Sequence, residues 1–370
     1  MKIIHINSYY SNSFFYKNLF DYQIKKGLDI EVFVPVALNF DKKNIEYGKY
    51  TTISRNHNKY DRFIFHLKHY KIYKDILRKY NIKNYSLIHA HSLFSNGYIA
   101  LRLKKKYGIP YIVAVRNTDV NIFFNKMIYL RRLGLKILNE AEHIVFLSKS
   151  YKDHVLDRFI PINQKEKIKN RISIIPNGID NFWFDNIGMP KQKPKTPTIR
   201  LLQIGDINKN KNIETTVKAV DLLIERGYKI RLDVVGKVKD QKIFNNIKTV
   251  NYINYLGYKS KEDLIKIYRE NDIFILPSIN ETFGLVYAEA MSQGLPVIYT
   301  RGQGFDGQFK SGEVGFSVNC FNPQDIAMKV LEILKSYKSF NQNCLIRCSK
   351  FNWMIITEDY VKIYKSIFIK

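Results

Sequence analysis

The sequence is poor in cysteine, in acidic residues and in long apolar runs, and each shortage excludes a class of protein. Its three cysteines (Cys320, Cys344 and Cys348) fall late in the 370 residues and supply neither a disulfide framework nor a four-ligand metal site. Cys344 and Cys348 have helical i,i+4 spacing without a histidine nearby, which suits packing or exposed thiols better than ligation. No apolar stretch approaches the ~18 residues of a membrane-spanning helix. The longer ones, Tyr111–Val115 and Ile273–Leu276, are strand-sized. Met1–Asn7 carries a lysine but no apolar core of signal-peptide length. Hydrophobic residues at 45% and charged residues at 25% exclude a disordered or collagen-like chain. A soluble, cytoplasmic protein of two domains is expected, at about 100–200 residues per domain.

Against 33 Asp and Glu stand 60 Lys and Arg, a formal charge of +27. Residues 1–180 hold 32 of these bases and 14 of the acids, so two thirds of the excess lies in the first half. Nucleic acid, an anionic membrane surface and a phosphorylated ligand are the partner classes such a charge fits. An AT-rich genome also yields abundant Lys, Asn, Ile, Tyr and Phe, but it does not account for the asymmetry. No zinc-finger spacing or RNA-binding string accompanies the charge, and nucleic acid is not an expected partner.

Short runs rich in Ile, Val, Tyr and Phe read as buried strands at Lys2–Ile6, Ile30–Val36, Leu87–Ala90, Tyr111–Val115, His143–Leu147 and Ile172–Ile175. Helix-length segments separate them, including Arg62–Tyr80, Asn96–Lys106, Met127–Asn139 and Tyr151–Phe159. Such alternation predicts a parallel sheet covered on both faces. It stops at the proline- and lysine-rich Asp185–Thr198, which reads as a linker. Beyond it the alternation restarts, with strands at Ile199–Ile204, Ile230–Val235, Ile273–Leu276 and Pro296–Thr300. Helices are expected at Ile213–Arg226, Lys261–Arg269, Phe283–Gln293 and Pro323–Leu334. The expected α/β fold is two doubly wound, Rossmann-like domains facing across a cleft, with ligands beyond the carboxyl ends of the strands.

The segment Ile273–Thr300 (IFILPSINETFGLVYAEAMSQGLPVIYT) carries the chemistry. A buried strand leads through a polar turn into a helix expected to open near Phe283, with Gly294 as its stop. Amides at Thr282, Phe283 and Gly284, with Leu285 following, would offer an anion site at that terminus. Glu281 lies just before the helix and Glu289 inside it, so two carboxylates can accept hydrogen bonds from sugar or ribose hydroxyls. Glutamates near a helix start are also favoured by the helix dipole alone, without any ligand.

The string E-T-F-G-L-V-Y-A-E resembles the E-x7-E segment of family 4 retaining glycosyltransferases, which have the two-domain GT-B fold. Leu201–Ile213 (LLQIGDINKNKNI) is similar to the phosphate motif opening that family's second domain. Ser173–Asp180 (SIIPNGID) and His143–Ser150 (HIVFLSKS) resemble the close of its first. Leu87–Phe94 and Pro110–Asn121 stand where the family has first-domain strands and cleft-facing loops. Phe351–Tyr364 resembles the terminal helix that returns to the first domain. The resemblance implies an acceptor-binding domain at 1–184, a linker at 185–198, a donor-binding domain at 199–350 and the returning helix at 351–370.

It also implies transfer of a sugar from a nucleotide diphosphate sugar to a hydroxyl of a glycan or lipid-linked acceptor, with anomeric retention. Glu281 would hold the transferred sugar and Glu289 the ribose. Gly205, Lys209 and Lys211, with the helix terminus, would hold the diphosphate, whose developing charge is the chemical difficulty. In the family the departing phosphate takes the acceptor proton. Arg116, after a buried strand, is a second candidate catalytic residue, able to grip sugar or diphosphate bidentately; pairing with Asp119 is its structural alternative. His89 and His91, at a strand end, read as structural histidines. No cofactor is expected, and no metal, since Asp-x-Asp is absent. An acceptor in bacterial surface polysaccharide or lipopolysaccharide synthesis, and peripheral attachment to the inner face of the membrane, complete the expectation.

Three departures from the family's pattern stand out. Asp206 replaces an arginine, and we expect it to orient Lys209 or Lys211 through a hydrogen bond. Arg116-Asn117-Thr118-Asp119 replaces a His-Gly-x-Asp loop, and Ser8–Ser13 replaces a glycine-rich one. A sugar-nucleotide epimerase on the same fold, a non-catalytic glycan-binding relative and a basic nucleic-acid-binding protein are the competing readings.

Overall fold

The computed structural model describes residues 1–12, 15–41, 46–192 and 197–369. Ser13 of the loop after the first strand and residues 193–196 of the expected linker therefore lie outside the described residues. The chain divides into two compact units. The first comprises Met1–Leu147, Lys152–Ile175 and Trp353–Lys370; the second comprises Ser148–Tyr151 and Pro176–Asn352.

In the first unit seven strands form one parallel sheet: β1 (Lys2–Ile6), β2 (Asp29–Ala37), β3 (Thr51–His57), β4 (Leu87–Ala90), β5 (Tyr111–Val115), β6 (His143–Phe146) and β7 (Ile172–Ile174). Their order is β3-β2-β1-β4-β5-β6-β7. β1, β4 and β5 are apolar because helices bury both of their faces, as right-handed crossovers require. β3 is an edge strand, polar and half-exposed (TTISRNH), and so carries no hydrophobic signal in the sequence.

The second unit repeats the plan with β8 (Ile199–Ile204), β9 (Ile230–Val235), β10 (Ile253–Gly257), β11 (Ile273–Leu276), β12 (Val297–Thr300) and β13 (Gly315–Val318). Here the order is β10-β9-β8-β11-β12-β13. Leu201, Leu232 and Ile275 from the sheet pack with Val220, Leu223 and Val330 from the helices Ile213–Glu225 and Pro323–Lys335. Each such side chain contributes about 1.5–3 kcal/mol on burial. The strand order reverses between β8 and β11. The connections leaving their carboxyl ends diverge there, and that is where a doubly wound sheet accepts a ligand.

Two segments change unit. Residues 176–185 pack on the second unit: Asp180 caps the helix Asn181–Asp185 and its carboxylate pairs with Lys261, while Trp183 sits edge-on to Tyr268 at 5.6 Å. The first unit therefore closes at Ile175, ahead of residue 184. The terminal helix Trp353–Ser366 belongs to the first unit, where Trp353 meets Phe15 at 4.7 Å and the Tyr364 hydroxyl accepts a hydrogen bond from Gln23 at 3.0 Å.

Candidate active site

The second unit brings together two loops at its switch point, Gly205–Asn212 after β8 and Pro277–Gly284 after β11. The first is held from within. The Asn208 side chain accepts the Lys211 N–H at 3.1 Å, and Gln203 donates to the Lys211 carbonyl at 2.9 Å. Asn212 adopts a left-handed conformation (φ 53°), and its side-chain amide donates to the carbonyls of Pro277 and Cys320 at 3.1 and 2.6 Å. The first bond ties the lysine loop to the glutamate loop, the second ties it to the segment after β13, and both compensate a backbone conformation unusual for a non-glycine residue.

Lys211 reaches Glu281 across this tie. Its Nζ lies 2.7 Å from Glu281 Oε2, with both side chains largely buried. Ser278 donates to the same oxygen at 3.3 Å, and Glu281 Oε1 accepts the Thr282 N–H at 3.1 Å. The Glu281 main chain is fixed as well. Its N–H donates to Gln303 Oε1 at 2.9 Å, and its carbonyl accepts from the Gly304 N–H at 2.9 Å and the Tyr151 hydroxyl at 3.2 Å. Gly304 is required by closeness, since a Cβ there would lie 1.9 Å from the Thr282 carbonyl oxygen. Gln303, Gly304 and Tyr151 were not expected from the sequence; the glycine-rich RGQGFDGQ after β12 was the available signal.

The helix carrying Glu289 spans Leu285–Ser292, not Phe283–Gln293, because left-handed Gly284 (φ 75°) caps it and halts helical backbone. The Thr282 amide accordingly serves Glu281 and does not face outward. Phe283 is buried on Phe305 and Phe351, while Gly284 and Leu285 stand at the terminus. Glu289 lies about 6 Å along the helix from Leu285. It is half-buried, and desolvation pushes its carboxyl up to about 7, against the Tyr268 hydroxyl 3.4 Å away and the charge of Lys261.

Lys209 is exposed and, among the described residues, engages no carboxylate. Asp206 likewise makes no hydrogen bond or ion pair there, so the expected orientation of Lys209 or Lys211 by Asp206 does not occur. Lys211 instead lies along Gly205, where a Cβ would meet its stem at 3.2 Å, and ends at Glu281.

Arg116 belongs to the first unit, at the carboxyl end of β5. It is buried beside the ring of Tyr16, and its Nε donates to the His91 carbonyl at 3.2 Å. Asp119 accepts three main-chain N–H groups, from Leu93, Phe94 and Arg116, at 2.9, 3.1 and 2.8 Å. Burial nevertheless raises the Asp119 carboxyl to about 6, with those bonds and the Arg116 charge opposing. Asp119 thus staples two loops of its own unit.

Each unit is thus a doubly wound sheet, and the second carries a cation–carboxylate pair at its switch point. Comparison with known proteins makes the class specific. Residues 13–181 match the family described as Glycosyltransferase Family 4, and residues 186–344 match Glycosyl transferases group 1. An uncharacterized glycosyltransferase of Methanocaldococcus jannaschii is 27% identical over 88% of this chain and 91% of its own. The capsular polysaccharide biosynthesis glycosyltransferase CapM of Staphylococcus aureus is 25% identical over 61% of this chain and 62% of its own. Among solved structures, sucrose-phosphate synthase from Thermosynechococcus elongatus matches with a TM-score of 0.76 at 17% identity, over 100% of this chain and 99% of that one. Anabaena HepE in complex with UDP-glucose matches with a TM-score of 0.67 at 14% identity, over 99% and 100%. The fold is GT-B. The chain belongs to the family 4 glycosyltransferases.

Proposed function

We propose that the protein transfers a sugar from a nucleotide diphosphate sugar to a hydroxyl of a glycan or lipid-linked acceptor, with retention at the anomeric carbon. The observation carrying this reading is the Lys211–Glu281 pair at the switch point of β8 and β11, eight residues before Glu289. Lys211, with Lys209 and the main chain at Gly205, takes the diphosphate. The helix terminus at Gly284 and Leu285 adds amides suited to the charge that develops as the bond to the sugar breaks. Lys211 then turns from Glu281 toward phosphate, and Glu281 accepts hydrogen bonds from the transferred sugar. Ionised Glu289 accepts from the ribose hydroxyls. Arg116 is the first unit's candidate for a catalytic cation. No metal is needed, because lysine and main-chain amides supply the positive charge.

UDP-glucose in HepE makes a UDP-sugar the first donor to test, and CapM supports a surface polysaccharide acceptor. Attachment to the cytoplasmic face of the membrane follows from the charge of residues 1–180 and from one exposed apolar patch. No helix among the described residues is long and apolar enough to cross a membrane. Tyr60 and Phe63 are 74% and 68% exposed, and Ile64, Leu67 and Tyr70 extend the patch beside Lys59 and Lys74.

The experiment is transfer with UDP-, GDP- and ADP-sugars in the presence of EDTA, with the anomeric configuration of the product determined. Retention and chelator-resistant turnover are expected. An inverted product, or loss of turnover that added metal restores, would overturn the reading.

A further inference from the structure

A cluster that the transfer chemistry does not use lies under the first unit's sheet. His5 on β1 pairs in register with His89 on β4, so both rings project from the same face of adjacent parallel strands. His91 follows two residues after His89, and all three rings are fully buried. One nitrogen from each ring lies within 4.8 Å of the other two. Among the described residues no other group of three His, Cys, Asp or Glu side chains converges in this way.

Buried polar atoms normally find partners, but His89 Nε2, which would complete a set with His5 Nδ1 and His91 Nε2, has none. We propose that His5, His89 and His91 form a structural site for a divalent transition-metal ion of the zinc type. His5 Nδ1 and His91 Nε2 are already 3.0 Å apart, against about 3.3 Å between two nitrogens on one tetrahedral zinc. The ring of His89 stacks on that of His91 at 4.0 Å, and its Nδ1 is 2.8 Å from the Tyr364 hydroxyl, which also accepts from Gln23. That leaves His89 Nε2 as the ligand atom, with its ring oriented by an outer partner in the manner usual for metal-bound histidine. The ligand nitrogens lie within 4.8 Å of one another, so the rings must rotate to bring all three to the spacing of about 3.3 Å on one ion.

The chemistry of the donors agrees. Imidazole suits zinc, and it binds in the neutral form. Through Tyr364 and Gln23 the site would fasten the terminal helix Trp353–Ser366 and the helix Phe15–Lys25 to β1 and β4. It is a fastening within one unit, so transfer itself stays metal-independent.

The test uses the full-length protein, purified without a histidine tag and gel-filtered in chelator. Mass spectrometry should find about one zinc per chain. Protein grown without zinc should melt lower, and stoichiometric Zn²⁺ should raise its Tm by at least about 3 °C. Co²⁺ in its place should give the visible bands of a tetrahedral site. His5→Gln, remote from the donor loops in sequence, should lower metal content to under about a fifth of the wild type. Should that variant fail to fold, the wild-type measurements decide alone. Less than about 0.1 metal per chain, with no Tm response to Zn²⁺, would show a metal-free hydrogen-bonded triad and overturn the proposal.

Discussion

Replacing Glu289 by glutamine separates what this side chain does for the fold from what it does for the donor. A carboxyl raised from 4.5 to about 7 keeps a proton in the folded protein that the unfolded chain releases at lower pH. The folded state therefore binds more protons than the unfolded state between those values, and stability falls as pH rises through that window. At 1.36 kcal/mol per pH unit the gap amounts to about 3 kcal/mol. Glu289 is half-buried rather than sealed, so water screens part of this and about 1–3 kcal/mol is the expected range. Glutamine keeps the shape, keeps an acceptor for the Tyr268 hydroxyl and cannot ionise. Glu289→Gln should thus stabilise the donor-free second unit by about 1–3 kcal/mol at pH 8 and by almost nothing at pH 4.5.

The sequence contains two tryptophans, one in each unit, which makes this measurable. In a Trp353→Phe background, fluorescence reports Trp183, which lies edge-on to Tyr268. Urea unfolding of both forms from pH 4.5 to 8.5 gives the difference directly. Donor affinity should move the opposite way, weakened by the substitution and, in the wild type, lost as pH falls through about 7. A stability difference that ignores pH, or a variant less stable at pH 8, would refute the reasoning.

Lys211→Ala should lower kcat/KM by about 2–3 kcal/mol, since a charge-assisted contact is lost and Glu281 is left without its cation. Lys209→Ala should cost less, because Lys209 is exposed, and Asp206→Ala little, because Asp206 makes no hydrogen bond or ion pair among the described residues; unchanged donor affinity in Lys211→Ala would reject the assignment of this loop. Glu281→Gln should reduce kcat at least about tenfold, or roughly 1.4 kcal/mol, and turnover near that of the wild type would remove Glu281 from the chemistry. Binding to anionic vesicles should fall steeply with salt, each surface cation contributing about 1 kcal/mol, and Tyr60→Ser with Phe63→Ser should weaken it. Equal sedimentation with neutral vesicles would assign the charge to composition alone.

What could be read in the sequence was what burial writes there. β1, β4, β5, β8, β9 and β11 lie residue for residue where their apolar runs predict, because both faces of those strands are covered. β3, β10 and β13 were not anticipated. β3 and β10 are half-exposed, and β13 is a four-residue edge strand, so pairing rather than patterning defines them. The helix Phe15–Lys25 was not anticipated, although Tyr16, Leu19, Phe20 and Gln23 are buried at helical spacing and Lys17, Asp21 and Lys25 recur every fourth residue. Glu281, Glu289 and Lys211 were legible as motif positions. The Lys211–Glu281 contact was not, since it spans 70 residues and depends on Asn212 tying two loops together. Asp206 shows the opposite error: closeness in sequence to two lysines implied a hydrogen bond, whereas Lys211 runs along Gly205 to Glu281 and Lys209 is exposed.

On the proposed reading, the Lys211–Glu281 pair would give the site an order of events. Without donor, each charge is balanced by the other, and a largely buried carboxylate is spared the cost of standing alone. An arriving diphosphate offers Lys211 a more highly charged partner, so the lysine is drawn from Glu281 only when phosphate is present. Glu281 is then free to accept from sugar hydroxyls, while Gln303, Gly304 and Tyr151 hold its main chain still. A sugar without diphosphate cannot release Glu281. A nucleotide without sugar leaves Glu281 with no hydroxyl in place of its lost cation, which weakens nucleotide binding relative to the intact donor. On that reading, selection for a complete nucleotide diphosphate sugar would follow from one ion pair that both halves of the donor are needed to replace.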